Sequence, residues 1–204
     1  MAKHTDETFR FGPRGQAILW VLLVAVGICG RLWQPTYNVT PLAAIALAAG
    51  TVLSSRLAAA AVPLASVMLS NLALSPYDSP VMAVIVYAAL AWPVLLGGLI
   101  RRQGWVAVVG GSLASSLVFF VVTNTAHWAL TQQYPHSAAG LLTCFTAALP
   151  FYRWMPVGDL GWSLAVFGGL AVAGRLAHAA AAGRLAPVPA RNDRRPDPAA
   201  RSLD

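Results

Sequence analysis

The sequence predicts an all-α integral membrane protein, in which six transmembrane helices form one bundle and both termini are cytoplasmic. Fifty consecutive residues, from Gln103 to Tyr152, include no Asp, Glu, Lys or Arg. The chain is 57% hydrophobic and only 10% charged, against roughly 25% charged residues in globular domains, and its mean hydropathy is +0.63. Because a charged side chain at mid-bilayer costs at least ~2.5 kcal/mol, the few charges mark the connections between spans.

Six apolar segments meet or approach the roughly 20 residues that a helix needs to cross a hydrocarbon core about 30 Å thick. They run from Gln16 to Trp33, Pro41 to Leu53, Leu57 to Leu74, Pro80 to Ile100, Trp105 to Leu130 and Gly158 to Arg175, with a possible continuation to Ala182. The second is short and requires helix ends that are covered by protein. A further apolar run, Ala138 to Leu149, would be only ~18 Å long as a helix, so it is predicted to be re-entrant or interfacial.

The first span follows the basic residues Lys3, Arg10 and Arg14, an arrangement that also fits a signal peptide. No A-x-A cleavage site follows this span, and Ile28 before Cys29 is a poor lipoprotein context. The first span is therefore predicted to stay uncleaved.

The later spans carry capping residues and small residues. Asp78 and Ser79 are N-cap types directly before Pro80, a first-turn proline, and Asp159 is a candidate cap for the sixth span. Small residues allow close helix packing in a membrane. They lie at Ala44, Ala48 and Gly50 in the second span, at Gly110, Gly111, Ser112, Ala114, Ser115 and Ser116 in the fifth, and at Gly168, Gly169 and Gly174 in the sixth.

Six spans place both termini on the same side, and the basic residues predict that this side is the cytoplasm. With the termini inside, only Arg31 and Arg153 lie in outer connections. The other twelve basic residues lie inside, at Lys3, Arg10, Arg14, Arg56, Arg101, Arg102, Arg175, Arg184, Arg191, Arg194, Arg195 and Arg201.

Composition divides the chain into three parts. Residues 1–15 are predicted to be a cytoplasmic segment, 16–182 the membrane domain, and 183–204 a disordered cytoplasmic tail, because the proline- and charge-rich end cannot bury a core. The net charge of +7 does not indicate nucleic-acid binding. The basic residues lie at the ends and in short connections, not in one stripe interleaved with aromatic residues. The predicted partner is the lipid bilayer.

Polar and aromatic side chains concentrate in the three outer connections and at the outer helix ends, whereas the inner connections are nearly bare. A few convergent polar groups on an apolar wall are typical of a small-molecule pocket. The predicted substrate-binding residues are Asn38, Asn71, Tyr77, Asp78, Asn124, His127, Tyr134 and His136.

Each of these residues also has a structural interpretation. The tyrosines could anchor spans at the lipid headgroups, and Asn71, Asn124 and His127 could form hydrogen bonds between helices. Asp78 is a functional candidate as an acid at the membrane boundary, or it is only a cap of the fourth span. The sequence leaves these alternatives open.

Sequence motifs for catalysis are missing, and the chain is predicted not to be an enzyme. It contains no acid/base carboxylate pair, HExxH, GxSxG or GxxxxGK[ST], so active transport would need a partner or another energy source. Cys29 and Cys144 form neither a CxxC nor a metal-ligand spacing. We expect no intrinsic cofactor.

The segment Asn38–Leu47, NVTPLAAIAL, resembles the N-x-[ST]-P-[LV]-x-A-[IL]-A-L segment of a family of small bacterial membrane proteins. Phe119–Asn124, Tyr134-Pro135, Gly140–Cys144 and Ala148–Phe151 resemble later motifs of that family. Over residues 30–170 the chain is similar to the S-components of energy-coupling-factor vitamin transporters, and most closely to the solitary vitamin B12 S-components of Gram-negative bacteria. The resemblance implies a protein of the bacterial inner membrane.

This resemblance implies that outer loops and helix ends capture a vitamin, with cobalamin or a related corrinoid as the leading substrate, and deliver it inward. The first span reads Ala17–Val21 and Ala25–Cys29, without the A-x-x-x-A face that docks on a shared coupling subunit. This difference favours the solitary type and leaves a coupling subunit uncertain.

Some vitamin B12 members of the family carry a cobalt-binding cysteine before the fourth span, where this chain reads Ser75–Pro80. Any axial ligand to the cobalt of a bound corrinoid would then come from His127, His136 or Cys144. His127 is the preferred candidate, because it lies three residues after Asn124 on the same helix face.

Two other functions stay open. The chain could be a non-transporting scaffold or assembly protein whose small-residue faces pack against partner helices. An intramembrane enzyme acting on lipid is a third possibility, although no nucleophile and base pair is visible in the sequence.

Overall fold

The computed structural model describes residues 12–34, 38–74, 77 and 79–184, and this part of the chain is all helical. A 3-10 segment, Trp92–Leu96, joins α4 to α5. The α-helices of the described ranges are α1 (Pro13–Leu32), α2 (Leu42–Val52), α3 (Arg56–Ser70), α4 (Pro80–Ala91), α5 (Gly97–Gln103), α6 (Trp105–Leu130), α7 (Ala138–Tyr152) and α8 (Met155–Arg184).

Four helical segments are long and apolar enough to cross a membrane. They are Pro13–Leu32, Pro80–Gln103, Trp105–Leu130 and Met155–Ala177. Helices α2, α3 and α7 are apolar but shorter, with 11, 15 and 15 residues. The described chain is therefore a helical membrane protein with four candidate spans, and the predicted second and third spans are shorter than a free-standing span requires.

Helix α2 forms the centre of the bundle. Ten of its 11 residues are buried, and Ala44 through Ala49 have no exposed surface. Its neighbours include α1, α3, α8 and the 3-10 segment. Because other helices cover α2, its short length does not leave its ends facing hydrocarbon.

Glycines bring α2 and α5 into backbone contact. A Cβ atom added at Gly97 would overlap the carbonyl oxygen of Gly50, and one added at Gly50 would overlap the carbonyl oxygen of Val94. Arg101 Nη1 donates to the carbonyl oxygens of Gly50 and Thr51 at 2.8 and 2.9 Å. These carbonyls are unpaired within the last turn of α2, so the arginine caps that helix.

Long-range contacts show at which end of the bundle each connection between helices lies. At one end, Ser54 Oγ donates to Gln16 Oε1 at 2.7 Å, and Trp20 Nε1 donates to the Ala58 carbonyl at 3.0 Å. At the opposite end, Arg31 contacts the end of α3, and Asn38 contacts the Phe151 carbonyl. The predicted inner connections thus share one end and the predicted outer connections share the other.

Most predicted helix boundaries lie within three residues of the structure, and the fifth span coincides with α6. Helix α3 ends at Ser70 instead of Leu74, because Arg31 binds its terminal acceptors and residues 71–73 form tight turns. The fourth span is broken by the 3-10 segment, since Pro93 has no N–H for the helical ladder. The predicted short run extends to Tyr152 as α7. Helix α8 continues to Arg184, so residues 183 and 184 of the predicted tail are helical, whereas residues 1–11 and 185–204 lie outside the described residues.

Candidate functional site

A cavity of about 350 Å³ lies between α2, α4, α6 and α8, at the bundle end that holds the α1–α2 and α3–α4 connections. Aliphatic and aromatic side chains form most of its wall, and a smaller set of polar groups faces the same space. The lining residues are Arg31, Gln34, Asn38, Thr40, Leu42, Ala43, Tyr77, Met82, Val86, Ala89, Leu90, Pro93, Ser115, Phe119, Thr123, Met155 and Asp159.

Arg31 lies in the last turn of α1, and one nitrogen of its guanidinium binds the end of α3. Nη1 donates to Ser70 Oγ and Asn71 Oδ1, both at 2.6 Å, and to the Val67 carbonyl at 3.2 Å. No described residue accepts a hydrogen bond from Nη2 or Nε. The guanidinium thus caps α3, and among the described residues its Nη2 and Nε have no acceptor, so these donors are left to the cavity that it lines.

Tyr77 is held beside the same arginine. Its ring packs edge-to-face on Tyr87 with centroids 5.8 Å apart, and Asn71 Nδ2 donates to the Tyr87 hydroxyl at 3.3 Å. Burial raises the pKa of Tyr77 above its ordinary value, which outweighs the lowering by Arg31, and Tyr87 raises it further. Tyr77 therefore presents a protonated hydroxyl to the cavity near neutral pH.

Among the described residues, Asp159 is the carboxylate that lines this cavity, and its predicted capping role is wrong. Helix α8 begins at Met155, so Asp159 is the fifth helical residue and not an N-cap. Its side chain is 6% exposed and accepts a hydrogen bond from Ser116 Oγ at 2.6 Å on Oδ2. One turn farther along, Ser112 Oγ donates to Ser163 Oγ at 2.7 Å. A polar track therefore joins α6 to α8.

Three of the predicted binding residues belong to this cavity or contact it. Asn38 and Tyr77 line it, and Asn71 contacts it indirectly through Arg31. Asn38 has a positive φ of 64°, which asparagine tolerates better than most residues, and its amide donates to the Phe151 carbonyl at 3.3 Å. Asp78 lies outside the described residues.

The other four predicted residues form a separate group around the end of α6. His127 Nε2 lies 2.9 Å from Gln133 Oε1, and its ring meets the Tyr134 ring edge-to-face at 6.4 Å. His136 Nε2 lies 3.1 Å from the Thr131 carbonyl, and Asn124 donates to the Phe120 carbonyl at 2.7 Å. These residues do not belong to the cavity lining, so the predicted cluster is divided in two.

The described ranges contain no cluster of side chains suited to bind a metal ion. Groups of three or more His, Cys, Asp or Glu side chains that could hold an ion are absent there. His127, the candidate cobalt ligand, lies outside the cavity lining and already meets Gln133. Cys144 Sγ lies 3.6 Å from the Asn124 carbonyl.

Sequence reasoning missed Arg31, Gln34 and Asp159 as lining residues. An acid within an apolar helix is a functional candidate by default, and this signal was available for Asp159. Arg31 was recognised as a polar residue of the first outer connection but was not included among the predicted binding residues. Its position at a helix end gave no indication that it would meet Asn71, 40 residues away.

Comparison with protein-family models gives a match. Residues 12–182 match the model of a family of unknown function, DUF6580. No curated protein matches the chain, and no solved structure matches it. Because the matched residues cover most of the chain and all four candidate spans, this protein belongs to the DUF6580 family.

Proposed function

We propose that this protein captures a small vitamin-type solute at the outer face of a bacterial inner membrane and takes part in its uptake. The observation that carries the proposal is the cavity, because it combines an apolar wall with polar groups that converge from separate helices. This combination is characteristic of small-molecule sites. The proposed role involves no catalysed reaction.

The distribution of basic residues supports access from outside. The cavity lies at the bundle end that holds Arg31 and Arg153, the two basic residues in the proposed outer connections. By the positive-inside rule this end faces away from the cytoplasm. Six spans, in which the short helices α2 and α3 also cross the membrane, are part of the same proposal.

The volume favours a small substrate. About 350 Å³ is near the lower end of the roughly 300–1,000 Å³ found for ligand pockets. A corrinoid is larger than this cavity, so cobalamin would fit only with much of the ring outside it among the outer loops. In that case His127 and His136 are the imidazoles on the same side. A coupling subunit remains an optional partner.

A pair of variants on one helix tests the capture. Val86 is 5% exposed and lines the cavity, whereas Val84 is 66% exposed and does not line it. Wild type, Val86→Phe and Val84→Phe would be purified in parallel, and small molecules released by denaturation would be identified by mass spectrometry. We expect one compound to accompany wild type and Val84→Phe and to be depleted in Val86→Phe.

Transport is then measured with the identified compound. Cells producing wild type or Val84→Phe should accumulate it from the medium faster than cells producing Val86→Phe at equal protein levels. Equal retention of the compound by both variants would contradict capture in the cavity. Absence of any compound specific to this protein would favour the scaffold function instead.

A further inference from the structure

Two opposite charges face the same cavity without pairing with each other. Among the described lining residues, Arg31 and Asp159 are the charged ones, and no hydrogen bond joins them. The partners of Arg31 are acceptors of α3, and the partner of Asp159 is Ser116. Within the described residues, the hydrogen-bonding capacity of each side chain is therefore only partly used.

An incompletely paired charge is costly in an apolar site. Asp159 is 94% buried, given its 6% exposure, and its Oδ1 accepts no hydrogen bond from a described residue. Isolated buried charges destabilise a protein unless a partner compensates them. A partner placed in the cavity could reach the carboxylate, since Asp159 lines that space.

The structure points to a zwitterionic substrate: we propose that the cavity binds a small solute whose protonated nitrogen pairs with Asp159 and whose carboxylate or phosphate pairs with Arg31. This inference rests on the proposed capture function and specifies its substrate class. The apolar wall formed by Val86, Leu90 and Phe119 would hold the part of the solute between its two charges.

Two hydroxyl groups of the lining, both on α6, are consistent with this division. Ser115 Oγ donates to the Gly111 carbonyl at 2.6 Å, and Thr123 Oγ1 donates to the Phe119 carbonyl at 2.7 Å. Because these hydroxyl protons are used within α6, both oxygens meet the cavity mainly as acceptors. Ser115 adjoins Ser116, the partner of Asp159, and an acceptor in that position favours a solute group that carries N–H donors.

Binding to a matched chemical series tests the charge requirement. The probes are α-, β- and ω-amino acids, each with its N-acetyl derivative, its methyl ester and its N-acetyl methyl ester, so that each skeleton appears as a zwitterion, anion, cation and neutral compound. Thermal unfolding of the purified protein in detergent, followed by tryptophan fluorescence, reports binding. We expect the best zwitterion to act at a concentration at least ~10-fold below its three derivatives, because a charged hydrogen bond is lost in each.

Variants assign the two ends of the solute. Asp159→Asn keeps the size of the side chain but removes its charge, so the N-acetyl anion should bind at least as well as the zwitterion. Arg31→Gln should instead bind the zwitterion and its methyl ester equally well, because the methyl ester lacks the carboxylate that Arg31 is proposed to bind. Ser116→Ala is the matched control, because it removes the internal partner of Asp159 and keeps the charge; the zwitterion preference should persist.

The outcomes separate this inference from the capture function. Wild-type preference for anions, cations or neutral compounds, or an unchanged preference in Asp159→Asn, would overturn the zwitterion inference and leave capture standing. Failure of all four charge classes, together with no compound released from the purified protein, would overturn both.

Discussion

At the scale of single residues, Arg31 has both a structural role and a position in the candidate site. Its Nη1 satisfies acceptors at the end of α3, while the guanidinium lines the cavity. A helix end leaves its last carbonyls without helical partners. The arginine therefore links the stability of the α1–α3 pair to the presence of a positive charge at the site.

Replacing Arg31 by alanine should lower the free energy of unfolding by about 1.5 to 3 kcal/mol, the range for hydrogen bonds to a charged group. Arg31→Lys should recover only part of this loss, since Nη1 makes all three hydrogen bonds and the lysine ammonium ends one bond closer to the backbone than Nη1 does. Thermal unfolding in detergent measures the change. Arg153→Ala is the control, because Arg153 is exposed and stacks on Trp154. Equal effects of the two alanine variants would contradict the capping role.

Tyr77 gives a prediction about pH. A raised pKa in the folded state means that folding favours the protonated phenol, so this contribution is present below about pH 10, the ordinary value, and is lost as the pH rises through the folded-state pKa. Phenolate absorbance would be titrated against pH in wild type and in Tyr77→Phe. The difference between the two curves should have its midpoint above the ordinary tyrosine pKa of about 10. A midpoint at or below that value would show that the ring is not buried as described.

Residue-level reasoning from the sequence recovered part of the site. Asn38 and Tyr77 were identifiable because they are polar or aromatic residues in connections on one side of the bundle. The contacts of Arg31 with α3 and of Asp159 with α6 were not predictable, because no local pattern encodes them, although Asp159 carried the signal of an acid within an apolar helix. The grouping of His127 with Asn38 was also not supported, since connections at one bundle end need not share a cavity.

At the scale of helices, the Gly50–Gly97 contact sets how closely α2 and α5 approach. The free energy of unfolding should fall by at least about 1 to 3 kcal/mol in Gly97→Ala, the usual cost of forcing extra volume into a packed core. The reason is that the new methyl group would overlap the Gly50 carbonyl. Thermal unfolding in detergent measures this loss.

The matched control is Gly168→Ala in α8, where an added Cβ meets nothing within 4 Å. This variant should be neutral or slightly stabilising, because alanine favours helix over glycine by roughly 1 kcal/mol. If Gly97→Ala unfolds at the same temperature as Gly168→Ala, the close approach of α2 and α5 is not present in solution.

Helix positions were more predictable than helix continuity. The bounds of α6 were evident because Gly104 and Thr131 flank an uninterrupted apolar run. The early end of α3 depends on Arg31, a contact distant in sequence. The break in the fourth span is explained by Pro93. The uninterrupted apolar run around this proline had indicated one continuous helix. Hydropathy therefore locates helices well but does not show where they bend.

At the scale of the whole molecule, the proposed orientation can be tested by cysteine labelling in intact cells. In a background without Cys29 and Cys144, a membrane-impermeant thiol reagent should modify a cysteine at Ser79 or Gln133 and leave one at Gln103 unmodified. All three should react after the membrane is permeabilised, which controls for accessibility. Modification at position 103 in intact cells would overturn the orientation and move the cavity to the cytoplasmic face.

The burial of α2 has a consequence for biogenesis. A helix of 11 residues is only ~16 Å long, too short to rest stably in a bilayer about 30 Å thick, so α2 cannot be an independent insertion unit. Its position therefore depends on packing against α1, α3 and α8. The most hydrophobic-looking centre of the protein is thus the part that depends most on its neighbours to be in the membrane at all.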